Sequence, residues 1–213
     1  MRSAVILCGG KSSRFNCVDK TFVNFGMKPL IRHVLDPVSK VVDEIIISTK
    51  DEERVRDIKE VVDLTSRDDI KIVFDKFKGF GPVAGILSGL QESSSEYSIV
   101  LACDLPFARG DVITLLFSQA LGYDAAIPRW ENNLIEPLYS IYKRDSMIDA
   151  ARVAIKEGFH NVYHSISLLE KVNYVPIEDI KAIDTELITF SNINTLEDLK
   201  NLQNRVDGDW NDF

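Results

Sequence analysis

The chain has 213 residues, 45% apolar and 27% charged, a length and balance that fit one globular domain and no low-complexity architecture. Its 25 basic and 33 acidic residues leave a formal net charge of −8, so the global field opposes binding to DNA or RNA, and a phosphate ligand must rely on a few local cations and backbone N–H groups. The cysteines, Cys8, Cys17 and Cys103, lack C-x-x-C spacing, which argues against a zinc site or a disulfide framework and suits a reducing compartment.

Branched apolar runs alternate with segments of helical period along the chain. Residues 3–8 read as a buried strand, and residues 27–42 as a helix with Pro29 at its start. An isoleucine-rich strand at 44–49 precedes a charged amphipathic helix at 51–62, whose run 51–59 reads as a solvated face. A third strand is expected at 70–74, then a helix at 82–91 opened by a glycine-rich turn, then a fourth strand at 97–102 ending on Cys103-Asp104. A helix at 111–120 and a strand at 124–127 complete that half. Beyond it come a strand at 134–142, helices at 144–157 and 161–169, a short strand at 172–176 and a last helix at 196–205. Thr195 and Asp198 have the spacing of an N-terminal cap for that last helix.

This order predicts an α/β fold with a mostly parallel sheet covered by helices on both faces, and the unbroken apolar strands agree with burial on both sides. Ligands of such sheets sit outside the carboxyl ends of the strands, so the residues after Cys8, Thr49, Phe74 and Ala102 are the candidates. The apolar run from Ala4 to Cys8 is too short for a signal peptide, and no stretch approaches the roughly 20 apolar residues of a spanning helix. The expected setting is the cytoplasm, with no membrane and no nucleic acid as partner.

After the first strand the chain reads Leu7-Cys8-Gly9-Gly10-Lys11-Ser12-Ser13-Arg14, with Asp19-Lys20 shortly beyond. Paired glycines allow either a tight turn or a close backbone approach to phosphate oxygens. Arg14 and Lys20 supply positive charge there, while Lys11 is expected to be exposed. The spacing matches neither the G-x-x-x-x-G-K-[ST] loop nor the G-x-G-x-x-G fingerprint. Asp104 closes a strand just ahead of Pro106, where a carboxylate can hold magnesium together with substrate phosphates or cap the next helix.

Further segments follow in order: Asp75 after the third strand, Gly81-Pro82-Val83-Ala84-Gly85-Ile86 opening a helix, Asp104-Leu105-Pro106, Glu136-Pro137-Leu138, and Phe190-Ser191-Asn192-Ile193-Asn194-Thr195. With the first loop, this series spans nearly the whole chain and resembles the molybdenum cofactor guanylyltransferase family, within the nucleotidyltransferase superfamily. The resemblance implies a Rossmann-like three-layer α/β/α nucleotidyltransferase fold of the nucleotide-diphospho-sugar transferase type; from the absence of a linker the chain is expected to form one domain over residues 1–206, with a frayed tail at 207–213. It implies transfer of GMP from GTP to the terminal phosphate of molybdopterin, with release of pyrophosphate and Mg2+ as cofactor. By the same resemblance Leu7, Cys8, Gly9 and Gly10 line the nucleotide, Arg14 and Lys20 hold the triphosphate, and Asp75 approaches the guanine or ribose. Asp104 is the magnesium ligand, and Glu136, Asn192 and Asn194 serve the acceptor or support the metal.

Such chemistry agrees with the residues present. A phosphate oxygen with a second pKa of about 6 is already an anionic nucleophile. The absence of a Ser-His-Asp or Cys-His set is therefore expected, and charge neutralisation with in-line positioning is what the reaction demands. The expected partners are GTP and a molybdopterin-type phosphate acceptor, for a monomer or weak homo-oligomer that contacts other cofactor-biosynthesis proteins. Two other readings stay open: a cytidylyl or sugar-phosphate transferase of the same superfamily, and a nucleotide-binding module without catalysis.

The chain departs from the family at Arg14-Phe15-Asn16, where a loop glycine is missing, at Cys8, where the family has alanine, and at Ser48-Thr49-Lys50, where an asparagine often touches the nucleotide. His160 and His164 have the spacing of a shared helix face, without a third ligand. His33 reads as structural, and Trp130 either stacks on a pterin or anchors its loop.

Overall fold

The computed structural model describes residues 1–9, 20–50, 52–62, 69–193, 195 and 197–198. Strand β1 (Ser3–Cys8) is buried along its whole length and pairs in parallel with β4 (Glu44–Thr49) on one side and β6 (Tyr97–Ala102) on the other. Outside β4 lies β5 (Ile70–Phe74), also parallel. On the far side β8 (Tyr139–Lys143) runs antiparallel between β6 and β7 (Ala125–Arg129), and β9 (Val172–Pro176) pairs in parallel with β7. The seven-stranded order is β5-β4-β1-β6-β8-β7-β9, mostly parallel as expected, and a small hairpin of β2 (Asn24–Phe25) and β3 (Lys28–Pro29) stands apart.

Alternation along β1 divides its side chains between two cores, Ala4, Ile6 and Cys8 facing one and Val5 and Leu7 the other. The first core is closed by α1 (Leu30–Val38), α2 (Glu52–Val62), α4 (Gly110–Gln119) and α7 (Ile177–Lys181). The second is closed by α3 (Gly81–Glu92), α5 (Arg144–Lys156) and α6 (Val162–Ser167). Three layers result. Ile45, Ile46 and Ile47 are fully buried, each stabilising the fold by roughly 1.5–3 kcal/mol relative to exposure.

Helix α3 lies close to the sheet because glycines face it. A Cβ added at Gly89 would stand 2.3 Å from Val5 Cγ1, and one at Gly85 would stand 3.0 Å from Leu7 Cδ2 and 3.6 Å from Asp75 Oδ1. At the amino ends of the strands a polar plug forms around Glu44, whose carboxylate accepts from Ser3 Oγ, Lys71 Nζ and both the N–H and Oγ of Ser94. Burial alone would raise its pKa; these donors outweigh burial and hold it at about 2.

Four expectations change. The helix expected at 27–42 is shorter, because residues 24–29 form the hairpin around Gly26, at φ +60°, and Pro29 becomes the N-cap of α1. The strand expected at 134–142 begins only at Tyr139: Pro137 offers no N–H, Ile135 makes a single bridge to Arg129, and the Tyr139 N–H turns back to the Glu136 carbonyl at 3.1 Å. The run 51–59 is not wholly solvated, since Arg54 is only 6% exposed and shares the inner face of α2 with Ile58 and Val62. His160 precedes α6, so it shares no helix face with His164. The helix at 196–205 and the tail lie outside the described residues, but Thr195 and Asp198 exchange backbone-to-side-chain bonds of 2.8 and 3.0 Å, the capping box the sequence predicts. Among the described residues no helix is long and apolar enough to cross a membrane.

Candidate functional site

The sheet order reverses at β1, whose two neighbours are β4 and β6. At such a switch point the loops leaving the two carboxyl ends diverge and open a crevice. The Cys103 N–H donates to the Leu7 carbonyl at 3.2 Å, carrying the β1–β6 ladder past its last registered pair, Leu7 and Ala102. Leu7-Cys8-Gly9 and Cys103-Asp104 therefore leave the sheet side by side. No described atom lies within 4 Å of the position a Cβ would take at Gly9, so its backbone is approachable. Cys8 and Cys103 are both buried, as expected of small hydrophobes at the ends of apolar runs.

Lys20 opens a single turn of 3-10 helix, Lys20–Phe22. The next residue, Thr21, is fully buried, its Oγ1 lying 3.6 Å from Cys103 Sγ and accepting from Arg54 Nη2 at 3.1 Å. This tether brings the Lys20 backbone to the end of β6, one residue from Asp104. It also brings in a guanidinium that the sequence reading passed over. The spacing of Arg54, Ile58 and Val62, four apart, carried that signal.

Across the crevice, Asp75 follows β5 and donates its N–H to the Thr49 carbonyl at 2.8 Å. Ser48, in the segment that departs from the family, donates its Oγ to Asp75 Oδ1 at 2.8 Å. Burial raises the Asp75 pKa, and the Ser48 hydroxyl offsets this in part. Gly85 sits beside both residues, and bulk there would press on Leu7, Ser48 and Asp75 together.

On the other side, the antiparallel direction of β8 places the residues before it at the same edge of the sheet. The Ala102 N–H donates to the Leu138 carbonyl at 3.2 Å, drawing residues 136–138 toward the end of β6. Glu136 is half-buried and accepts from Trp130 Nε1 at 2.7 Å; burial raises its pKa, partly offset by that bond. Trp130 also packs edge-on against Phe190, at 5.7 Å between ring centroids. Its role as a loop anchor is therefore visible. The segment after Phe190 closes on the site: the Ile193 N–H donates to the Asp104 carbonyl at 2.9 Å, beside exposed Asn192.

Leu7, Cys8, Gly9, the Lys20 backbone, Asp75, Asp104, Glu136 and Asn192 thus gather along one edge. Gly10, Arg14 and Asn194 lie outside the described residues, as does the variant loop at Phe15-Asn16. His33 bonds the Phe25 carbonyl at 2.8 Å, a structural role as expected. His160 bonds the Gly79 carbonyl at 2.9 Å and His164 bonds Glu157 at 2.8 Å, so the two histidines serve separate contacts. Among the described residues, no three His, Cys, Asp or Glu side chains cluster as a metal site. A magnesium ion held by one protein carboxylate and completed by substrate phosphates would ask of this edge only the single carboxylate that Asp104 carries.

The family model of the MobA-like NTP transferase domain matches residues 4–171. A Methanosarcina mazei protein named a probable molybdenum cofactor guanylyltransferase is 39% identical over 94% of this chain and 89% of its own length. A Methanosarcina acetivorans protein of the same name is 37% identical over 97% of this chain and 92% of its own. The crystal structure of molybdopterin-guanine dinucleotide biosynthesis protein A from Archaeoglobus fulgidus superposes with a TM-score of 0.80 at 31% identity, covering 98% of this chain and all of that one. The chain belongs to the MobA-like NTP transferase family and is a nucleotidyltransferase.

Proposed function

We propose that this enzyme transfers GMP from GTP to the terminal phosphate of molybdopterin, releasing pyrophosphate and forming the guanine dinucleotide. The observation that carries the reading is the Cys103-to-Leu7 bond, which sets the end of β1, with open space at Gly9, beside the carboxylate-bearing strand end at Asp104. The names of the relatives supply the base and the acceptor.

Guanine presents two adjacent N–H donors, which a carboxylate such as Asp75 accepts as a pair. Leu7, Cys8, Gly9 and Gly10 receive the nucleoside and the first phosphate through backbone groups. Lys20 and Arg14 take the β- and γ-phosphates, Lys20 as a point charge and Arg14 as a planar fork. The acceptor's phosphate oxygen attacks the α-phosphorus, the bond to the bridging oxygen breaks, and pyrophosphate leaves with both electrons of that bond. Asp104 would hold Mg2+, which supplies charge neutralisation on the phosphates when bound. No side chain need remove a proton, because the nucleophile is already an anion.

Thermal shift with GTP, ATP, CTP and UTP, each with magnesium, tests the base. Preferential binding raises the melting temperature by mass action, about 2.7 kcal/mol at a hundredfold excess over Kd. GTP should stabilise most. A larger shift with CTP or UTP would overturn the guanylyl reading.

A further inference from the structure

Asp75 and Glu136 are built alike at two points along the carboxyl edge of the sheet. Each lies just outside the carboxyl edge of the sheet and is neither buried nor exposed. Each has one carboxylate oxygen held by a single neutral donor, Ser48 Oγ at 2.8 Å and Trp130 Nε1 at 2.7 Å. Among the described residues, no partner occupies the other oxygen of either. Neither meets a described cation, which sets them apart from Asp111 and Glu44, paired with Arg109 and Lys71. Half-buried carboxylates without a counter-ion are costly unless a ligand completes their hydrogen bonds.

Their spacing is also informative. Asp75 follows β5, three strands from β6, so it stands about 14 Å from the line of Asp104, whereas the segment of Glu136 adjoins β6 at one strand's distance, about 5 Å. Asp104 lies between them. Two ligands joined through phosphate at Asp104 would each direct a ring toward one carboxylate.

The geometry points to Glu136 as the residue that reads the acceptor's pterin ring, accepting hydrogen bonds from its ring N–H and 2-amino group as Asp75 does from the matching edge of guanine. The inference rests on the acceptor being a pterin, as set out above. Guanine and pterin share the 2-amino-4-oxopyrimidine edge, so one type of receptor, a carboxylate steadied by one donor, serves both rings. Trp130 is a positioning residue: its N–H fixes Glu136 Oε1 while its ring is itself held by Phe190.

The test is a fluorescence titration of the full chain, saturated with GTP and magnesium, with pterin and with lumazine, in which an oxygen replaces the 2-amino group. The wild type should bind pterin at least tenfold more tightly than lumazine, because a carbonyl facing a carboxylate offers no donor. Glu136→Gln should weaken pterin binding about tenfold or more and erase the preference, with GTP affinity unchanged as proof of an intact fold. Trp130→Phe should fall between them. Equal binding of the two rings by the wild type, or an unaltered preference in Glu136→Gln, would overturn the assignment. Dinucleotide synthesis separates the two claims: synthesis with an unchanged acceptor KM in Glu136→Gln refutes the role of Glu136 alone. A carboxylate-dependent pterin preference without any synthesis refutes the transfer reaction alone.

Discussion

Gly89→Ala places two opposing effects on one site, and the structure says which should prevail. Within a helix, alanine is favoured over glycine by about 1 kcal/mol. Against that, the new Cβ would lie 2.3 Å from Val5 Cγ1, 3.1 Å from Cγ2 and 3.3 Å from Cβ. Relief requires a movement of more than about 1 Å, given ordinary carbon contacts of 3.5–4.0 Å. Val5 cannot supply it: the residue is fully buried, branched at Cβ, and on a strand paired on both sides. Overpacking of this kind costs about 1–3 kcal/mol, and a contact as short as 2.3 Å against a side chain that cannot move takes the upper part of that range, about 2–3 kcal/mol, so a net loss of about 1–2 kcal/mol is expected. For a chain of 213 residues that lowers the melting temperature by roughly 2–8 °C. Calorimetry or urea unfolding reads it directly. Val5→Ala in the same chain should make room, so the double mutant should be more stable than the sum of the single effects by about 1 kcal/mol. An unchanged or higher melting temperature in Gly89→Ala would show that α3 and β1 are not in the contact described.

Other consequences concern charge and the site. Glu44, held at about 2, gives stability that is full above its ordinary pKa near 4.5 and is lost as the pH falls from there toward 2, about 3 kcal/mol in all. Urea unfolding at pH 7 and pH 2.5 should therefore differ less in Glu44→Gln than in the wild type, and an equal difference would remove Glu44 from the acid-labile set. Asp104→Asn and Lys20→Ala should each abolish turnover while circular dichroism and melting stay near wild type; normal pyrophosphate release in either would sink that assignment. Asp75→Asn should raise the KM for GTP about tenfold to a hundredfold, the scale of a hydrogen bond to a charged group, and should leave ATP nearly unaffected. An equal effect on both nucleotides would place Asp75 away from the base.

Much of the frame was legible because buried parallel strands read as unbroken apolar runs: β1, β4, β5 and β6 begin and end where their residues say. The start of β8 was hidden, since Leu134-Ile135 continue the apolar pattern while Pro137 and the Glu136 turn interrupt the pairing. Arg54 was obscured by the charges around it; only its position over Ile58 and Val62 marks it as inward-facing. The Ser48–Asp75 bond joins residues 27 apart, and depends on the β4–β5 register that pairs Ser48 with Val73. No local pattern encodes it. The pairing of Trp130 with Glu136 depends likewise on the turn that Asn133 makes in the left-handed region, at φ 64°.

On the proposed function, the edge defined by Leu7-Cys8-Gly9 and Asp104 transfers a guanylyl group to molybdopterin. The most direct measurement incubates the purified chain with GTP, magnesium and molybdopterin, and follows pyrophosphate release and product mass together. One pyrophosphate should form for each guanine dinucleotide, with neither appearing when molybdopterin is omitted. Release of pyrophosphate without the dinucleotide, or a dinucleotide built from another base in preference to guanine, would contradict it.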